Sequence, residues 1–243
     1  MSGHSHAKKI KRAKEATDQK RGQIFSKMAR VISIAAKGGG DPTFNSSLRV
    51  ELDKAKELNM PTENIERAIK RGTGELAGEK LEEVLFEAYG PAGIAVIIEG
   101  ITDNKNRTLS EIKQILNQNS GKLVGEGAVK WMFEKKGCIV IDLNGQNEEF
   151  KNKENMEMAA IELGAQDFLW RDGMMEIYTK IEDMDKATKN LESRGIKTES
   201  SSLDWIAKED VPAGEKDKEA CQKLFDALDE NEDIQGVYSN LKD

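Results

Sequence analysis

The sequence predicts an α+β chain in which an N-terminal helical bundle precedes two αβ domains, one of them ferredoxin-like and inserted in the other. Three observations carry this reading. Apolar residues recur at helical spacing up to about residue 72 and change to strand spacing near Glu82. Between Gly137 and Ile206 the elements follow the order βαββαβ. The helix and strand after it are too few to form a core, so they rejoin the unit before it. A length of 243 residues suits two or three cores. The expected domains are residues 1–80, basic and helical; residues 81–136 with 206–243, αβ; and residues 137–205, the inserted ferredoxin-like αβ domain.

The first helix is expected over Gln23–Ala36, where Ile24, Met28, Val31 and Ala35 share a face beside Phe25, Ala29, Ile32 and Ala36. Gly38-Gly39-Gly40-Asp41-Pro42 ends it. A second helix starts at Asn45-Ser46-Ser47, whose side chains can accept free backbone N–H groups, and stops near Asn59. Pro61 suits the first position of a third, with Ile65, Ala68 and Ile69 as its apolar side up to Gly72. Val84–Tyr89 and Ile94–Glu99 flank Gly90-Pro91-Ala92-Gly93, which reads as a β-hairpin. Thr108-Leu109-Ser110-Glu111 has capping-box spacing and opens a helix through Ile112, Ile115 and Leu116; Ala128–Phe133 then returns as a strand. The inserted domain is expected as strand Cys138–Leu143, helix Glu154–Leu163, strands Asp167–Arg171 and Met174–Lys180, helix Asp185–Ser193 and strand Lys197–Leu203. After the acidic linker Lys208–Lys216 come a helix with Ala220, Leu224, Ala227 and Leu228 and a short strand Ile234–Tyr238.

Several function classes drop out. The apolar run Ile94–Ile98 is far shorter than the roughly twenty residues of a membrane span. The lysine-rich start has no apolar block behind it, so it does not read as a secretory signal and a cytoplasmic location is expected. Cys138 and Cys221 stand far apart without a second Cys or His pair, which argues against a disulfide framework or a zinc site. Histidine occurs only at His4 and His6, so every folded domain lacks the commonest general base. No nucleophile elbow, zincin helix or phosphate loop is present; Gly74-Glu75-Leu76-Ala77-Gly78-Glu79-Lys80 lacks the Gly-Lys pair of the last. No catalytic residue, cofactor, metal or small-molecule substrate is therefore expected.

Charge points elsewhere. Through Lys37 there are ten Lys or Arg against Glu15 and Asp18, a net +8, and the total of −7 leaves −15 on the remainder. Lys8, Lys9, Lys11, Arg12 and Lys14 have only Ile10, Ala13 and Ala16 to bury beside them, so the stretch reads as an arm that packs when a polyanion neutralises it. Lys20, Lys27, Arg30 and Lys37 fall within a helical arc of roughly 100°, a positive stripe opposite the apolar one. Arg12, Arg21 and Arg30 can hold phosphates bidentately. With no aromatic residue before Phe25, backbone contact should dominate over base stacking. A second candidate is the loop 103–108, where Lys105, Asn106 and Arg107 stand at a positively polarised helix start.

The blocks Met1-Ser2-Gly3-His4-Ser5, Lys20-Arg21-Gly22, Gly38-Gly39-Gly40-Asp41-Pro42, Asn59-Met60-Pro61, Ile65-Glu66-Arg67-Ala68-Ile69-Lys70-Arg71-Gly72-Thr73-Gly74, Tyr89-Gly90-Pro91-Ala92-Gly93, Asp103-Asn104-Lys105-Asn106-Arg107-Thr108 and Lys135-Lys136-Gly137 closely resemble the YebC/PmpR family. The resemblance implies a three-domain α+β protein without known enzymatic activity. Bacterial members are described as DNA-binding transcriptional regulators. Others, with a mitochondrial relative that activates translation of cytochrome oxidase subunit one, look like ribosome-associated translation factors that bind rRNA and assist synthesis of difficult sequences such as proline runs. The expectation is thus a non-enzymatic nucleic-acid-binding regulator of gene expression, on DNA or alternatively on rRNA within the ribosome. This chain departs where the family usually continues with Lys-Trp: His6 and Ala7 remove one cation and one ring from the arm.

Overall fold

The chain alternates helical and extended segments with the change of period expected near residue 82. A computed structural model describes residues 18–76, 80–171 and 173–242. Its elements in chain order are α1 (Asp18–Ala35), α2 (Ser46–Glu57), α3 (Thr62–Thr73), β1 (Glu82–Tyr89), β2 (Ala95–Thr102), α4 (Lys105–Gln118), β3 (Lys122–Val124), β4 (Phe133–Asp142), α5 (Lys153–Glu162), β5 (Asp167–Arg171), β6 (Met174–Thr179), α6 (Met184–Ser193), β7 (Ser200–Ala207), α7 (Glu215–Asp229) and β8 (Ile234–Ser239). The fold is α+β, with two four-stranded sheets among the described residues, ordered β3-β1-β2-β8 and β5-β6-β4-β7. Contacts divide the chain into two compact units. One holds residues 18–128 with Gly214–Val237; the other holds Val129–Ala213 with residues 238–242.

In the first unit, α1, α2 and α3 bury Ile32, Ala36, Leu48, Leu52, Ala55, Met60 and Ala68 in one cluster. The glycine run after α1 is a helix stop: a 3₁₀ turn spans Ala36–Gly38, Gly39 takes φ 126°, and the Asn45 amide donates to the carbonyls of Ala35 and Gly39 at 2.8 Å each. The same Asn45 caps α2 by accepting from Leu48 N at 3.0 Å. Pro61 stands at the N-cap of α3, one place earlier than expected. Helices α1 and α3 cross closely at Gly72, where a Cβ would lie 2.3 Å from the Ser33 carbonyl oxygen. The buried Ser33 hydroxyl sits between the carbonyls of Ala29 and Ala68, at 2.9 and 2.8 Å, and ties the crossing together.

Strands β1 and β2 form the expected hairpin, in register from Glu82↔Thr102 to Tyr89↔Ala95. Ile112, Leu116, Leu224, Phe225 and Leu228, from α4 and α7, are fully buried together with Ile97 and Ile98 of β2. Two expectations are corrected here. Helix α4 starts at Lys105 under an Asn104 cap that accepts from Arg107 N at 3.1 Å, so Thr108 lies inside the helix and is buried rather than capping it. The strand after it is β3, which pairs with β1 over Glu87↔Val124 to Tyr89↔Lys122, not Ala128–Phe133.

The second unit keeps the element order β-α-β-β-α-β from Phe133 to Ala207. All three strand pairings, β5/β6, β6/β4 and β4/β7, are antiparallel. One face carries Ile139, Ile141, Met175 and Ile177 into a cluster with Met156, Ala159, Ala160, Ala187 and Leu191 of α5 and α6. The other carries Cys138, Val140, Met174 and Tyr178. Strand β4 is longer than expected, because a 3₁₀ turn at Lys130–Met132 feeds it from Phe133. Its partner β7 is displaced to match, from the expected Lys197–Leu203 to Ser200–Ala207, with Phe133↔Ala207 as the outer pair.

Candidate nucleic-acid interface

The cations expected to form an outward stripe on α1 largely hold the first unit together. Lys27 Nζ donates to the Asp229 carbonyl at 2.7 Å, and Lys37 Nζ donates to the Leu81 carbonyl at 2.6 Å. Arg30 donates through Nη1 to the Ile101 carbonyl at 3.3 Å and through Nη2 to Asp233 Oδ1 at 2.9 Å. Long cationic side chains lay their stems along an apolar surface and reach polar groups beyond it, so a charged helix face need not be a solvated one.

Asp233 is the centre of this anchorage. Its carboxylate, 3% exposed, also accepts from Arg107 Nη2 at 2.7 Å, the Thr108 hydroxyl at 2.5 Å and the Thr102 hydroxyl at 3.2 Å. Gly100 makes room for it: a Cβ there would lie 2.7 Å from the Asp233 carbonyl oxygen, which accepts from Ile101 N at 2.7 Å. Burial alone would raise the Asp233 carboxyl. The hydrogen bonds from Thr108 and Arg107, with the charges of Arg30 and Arg107, outweigh that and hold it below the usual carboxylate range. Arg107 also meets Asp103 at 2.8 Å. With Glu111 Oε1 3.7 Å from its Nε, it is engaged by three carboxylates; Lys105 and Asn106 are exposed on the same first turn of α4.

The outward cations lie on α3. Arg67, Lys70 and Arg71 are exposed, fall within a helical arc of roughly 100°, and make no side-chain ion pair or hydrogen bond among the described residues. Arg67 and Arg71, with Asn64, border a groove of about 630 Å³ whose other wall is α1 through Gly22, Phe25 and Ser26. Asp103 and Glu232 also line this groove and make part of it acidic. Arg21 is exposed on the first turn of α1. Lys20 belongs to α1, but its side chain is outside those described, and Lys8, Lys9, Lys11, Arg12 and Lys14 lie outside the described residues. Reading the sequence by net charge missed α3, because Glu63 and Glu66 offset its cations in any sum. The available signal was spacing: Arg67, Lys70 and Arg71 stand opposite the apolar Ile65, Ala68 and Ile69.

The second unit holds a polar pocket of about 460 Å³ on the sheet face away from α5 and α6, lined among others by Cys138, Glu176, Tyr178 and Asp204. Its buried groups are engaged with one another. Tyr178 donates to Glu176 Oε2 at 2.7 Å, Arg171 Nε approaches the same oxygen at 3.4 Å, and Ser202 donates to Asp204 at 3.0 Å. Burial, with Asp204 and Glu176 nearby, pushes the Cys138 thiol well up; burial and Glu176 push up the Tyr178 phenol. Both stay protonated at neutral pH, which leaves neither as a nucleophile or base. No group of three or more His, Cys, Asp or Glu among the described residues could hold a metal ion. No described helix is long and apolar enough to cross a membrane.

Comparison with known proteins covers nearly the whole chain. Residues 5–75 match the TACO1/YebC protein N-terminal domain, and residues 81–241 match the TACO1/YebC second and third domain. A "Probable transcriptional regulatory protein" of Caldanaerobacter subterraneus subsp. tengcongensis is 44% identical over 243 residues, covering 100% of this chain and 98% of its own. A protein of the same description from Prosthecochloris aestuarii is 46% identical over 244 residues, covering 100% and 96%. Among solved structures, a conserved hypothetical protein from Aquifex aeolicus superposes with a TM-score of 0.85 at 40% identity, covering 93% of this chain and 91% of that one.

Proposed function

This chain belongs to the TACO1/YebC family, and from that membership we propose that it is a non-enzymatic nucleic-acid-binding regulator of gene expression acting on DNA in transcription. The observation that carries the reading is the exposed cationic side of α3. Among the described residues Arg67, Lys70 and Arg71 form no ion pair, unlike Arg30 and Arg107, and Arg67 and Arg71 border a groove that α1 walls on its other side. The arm, with Lys8, Lys9, Lys11, Arg12 and Lys14, leads into α1 and adds five further cations in sequence. Arginine forks pair with phosphate oxygens bidentately, so this arrangement grips a sugar–phosphate backbone without reading bases. The relatives' description as transcriptional regulators supports DNA as the target.

A second reading keeps the same contacts on ribosomal RNA. The net −15 beyond residue 37 favours it, because an acidic body is repelled by a long duplex outside the contact but tolerated where ribosomal proteins surround it. Deleting residues 1–20 tests the backbone grip shared by both readings. That deletion removes six cations, and each neutralised phosphate contributes about −0.9 to the log–log salt slope on duplex DNA, so the slope is expected to flatten by up to about 5. An unchanged slope refutes the arm. Affinity for ribosomal RNA and for promoter-length duplex at equal salt then separates the readings: tighter binding of the duplex supports transcription, and tighter binding of ribosomal RNA supports translation.

A further inference from the structure

The groove between α1 and α3 holds more than the arginines that the function proposed above uses. At about 630 Å³ it falls within the range of roughly 300–1,000 Å³ in which proteins hold small ligands. Part of its lining is apolar, from Phe25 of α1, Ala68 of α3 and Met60 ahead of α3. Phe25 is the first aromatic residue of the chain. Arg67 and Arg71 enter from α3, whereas Glu232 enters from the turn before β8 and is exposed. Among the described residues none of these three side chains forms an ion pair or a hydrogen bond. The other charged groups in the lining are already held, Arg30 by Asp233 at 2.9 Å and Asp103 by Arg107 at 2.8 Å.

We propose that this groove takes one unpaired guanine nucleotide of a nucleic-acid strand, with its phosphate on Arg67 and Arg71, its base beside Phe25 and its Watson–Crick edge on Glu232. The chemistry selects this occupant. Two arginine forks, an apolar lining and a carboxylate suit a ligand that is anionic at one end, flat in the middle and rich in N–H donors at the other. An ionised carboxylate only accepts hydrogen bonds. Guanine offers it two adjacent donors, N1–H and the N2 amino group. Adenine and cytosine set a single amino group beside a ring acceptor, and uracil sets its one N–H between two carbonyls, which a carboxylate repels. Glu232 likewise repels phosphate, so the nucleotide can lie in one direction only. In a duplex the same edge is consumed by pairing and the base lies inside the stack, which restricts the groove to an unpaired strand. The inference rests on the nucleic-acid reading above and adds to it a base and the state of the strand that carries it.

The test uses the full chain and three labelled probes at equal salt. These are an oligouridylate of about 10 nucleotides, the same strand with one central guanosine, and a duplex DNA of about 20 base pairs. The guanosine strand should bind at least about fivefold more tightly than the plain oligouridylate, the discrimination that one bidentate contact to a base supplies. Glu232→Ala should abolish that preference. Gly22→Leu fills the groove from α1 without straining the fold, because a Cβ at Gly22 meets nothing within 4 Å and leucine favours a helix. It should weaken the guanosine strand at least about fivefold, with the duplex changed less than about twofold and the melting temperature not lowered. Equal affinity for the two strands, a preference that survives Glu232→Ala, or a guanosine strand bound within about twofold of normal by Gly22→Leu overturns the proposal. If the unaltered chain binds the duplex but neither strand, this inference fails and the reading above stands. Binding of no probe overturns both.

Discussion

Replacing Asp233 with alanine lowers the stability of the first unit by about 3 kcal/mol, the cost of stranding the cations of a buried ion pair. The side chain lost is 3% exposed and accepts from Arg30, Arg107, Thr102 and Thr108. Its removal takes the counter-charge of Arg30, which keeps the Ile101 carbonyl, and one acceptor each from the buried Thr102 and Thr108 hydroxyls, of which Thr108 keeps the Asn104 carbonyl at 3.2 Å. Arg107, 41% exposed, recovers part of its loss from water and from Asp103. Glu232→Ala, one residue earlier and exposed, is the control and should change the unfolding free energy from denaturant melts by no more than about 0.5 kcal/mol. The same carboxylate sets an acid limit. Because its folded value lies below the ordinary 3.8, its contribution is complete above that pH and is lost as pH falls through the depressed folded value. Thermal melts of the unaltered protein should therefore steepen their decline below about pH 3.8, and Asp233→Ala should lack that part of the decline.

Neutralising α3 gives the other large effect, on binding instead of stability. Arg67→Gln, Lys70→Gln and Arg71→Gln together should reduce the salt slope on duplex DNA by nearly 3 and the affinity in 0.1 M salt by roughly a hundredfold. These side chains are exposed and glutamine is a good helix former, so the melting temperature should hardly move. Lys27→Gln and Lys37→Gln form the complementary pair. Their ammonium groups are bonded to the Asp229 and Leu81 carbonyls, so they should lower stability and leave the slope nearly unchanged. A triple α3 variant with the slope of the unaltered protein would move the contact off this helix.

Much of the architecture is legible in the sequence because it is written in local periods. The apolar residues of α1, the Asn45 cap, the hairpin around Gly90–Gly93 and the βαββαβ order from β4 to β7 all follow from spacing within a few residues. Where local signals compete, tertiary contacts decide. Thr108 has the spacing of a cap, yet Asn104 caps α4, because the Thr108 hydroxyl is taken by Asp233, 125 residues away in sequence. Val129, Trp131 and Phe133 alternate like a strand, but backbone and side-chain bonds from Lys208 hold a 3₁₀ turn there. β3 is three residues long, too short to show a period.

The candidate interface was harder to read for the same reason. Lys27, Arg30 and Lys37 share an arc in sequence, but nothing local tells a cation that faces water from one that reaches a carbonyl on a distant segment. Asp233 sits in the acidic run Asp229–Asp233, where only the fold distinguishes it from its neighbours. Phosphate contact depends on which cations remain without an internal partner, and that is a property of packing.

The salt dependence of binding by the full chain is the most direct test of the central claim that a basic leading part holds a sugar–phosphate backbone. Affinity for one duplex, measured between about 50 and 200 mM salt, should fall with a log–log slope of about −5 or steeper, as expected when arm and α3 cations neutralise several phosphates together. A slope shallower than about −1 would contradict it, because no more than a single phosphate would then be engaged.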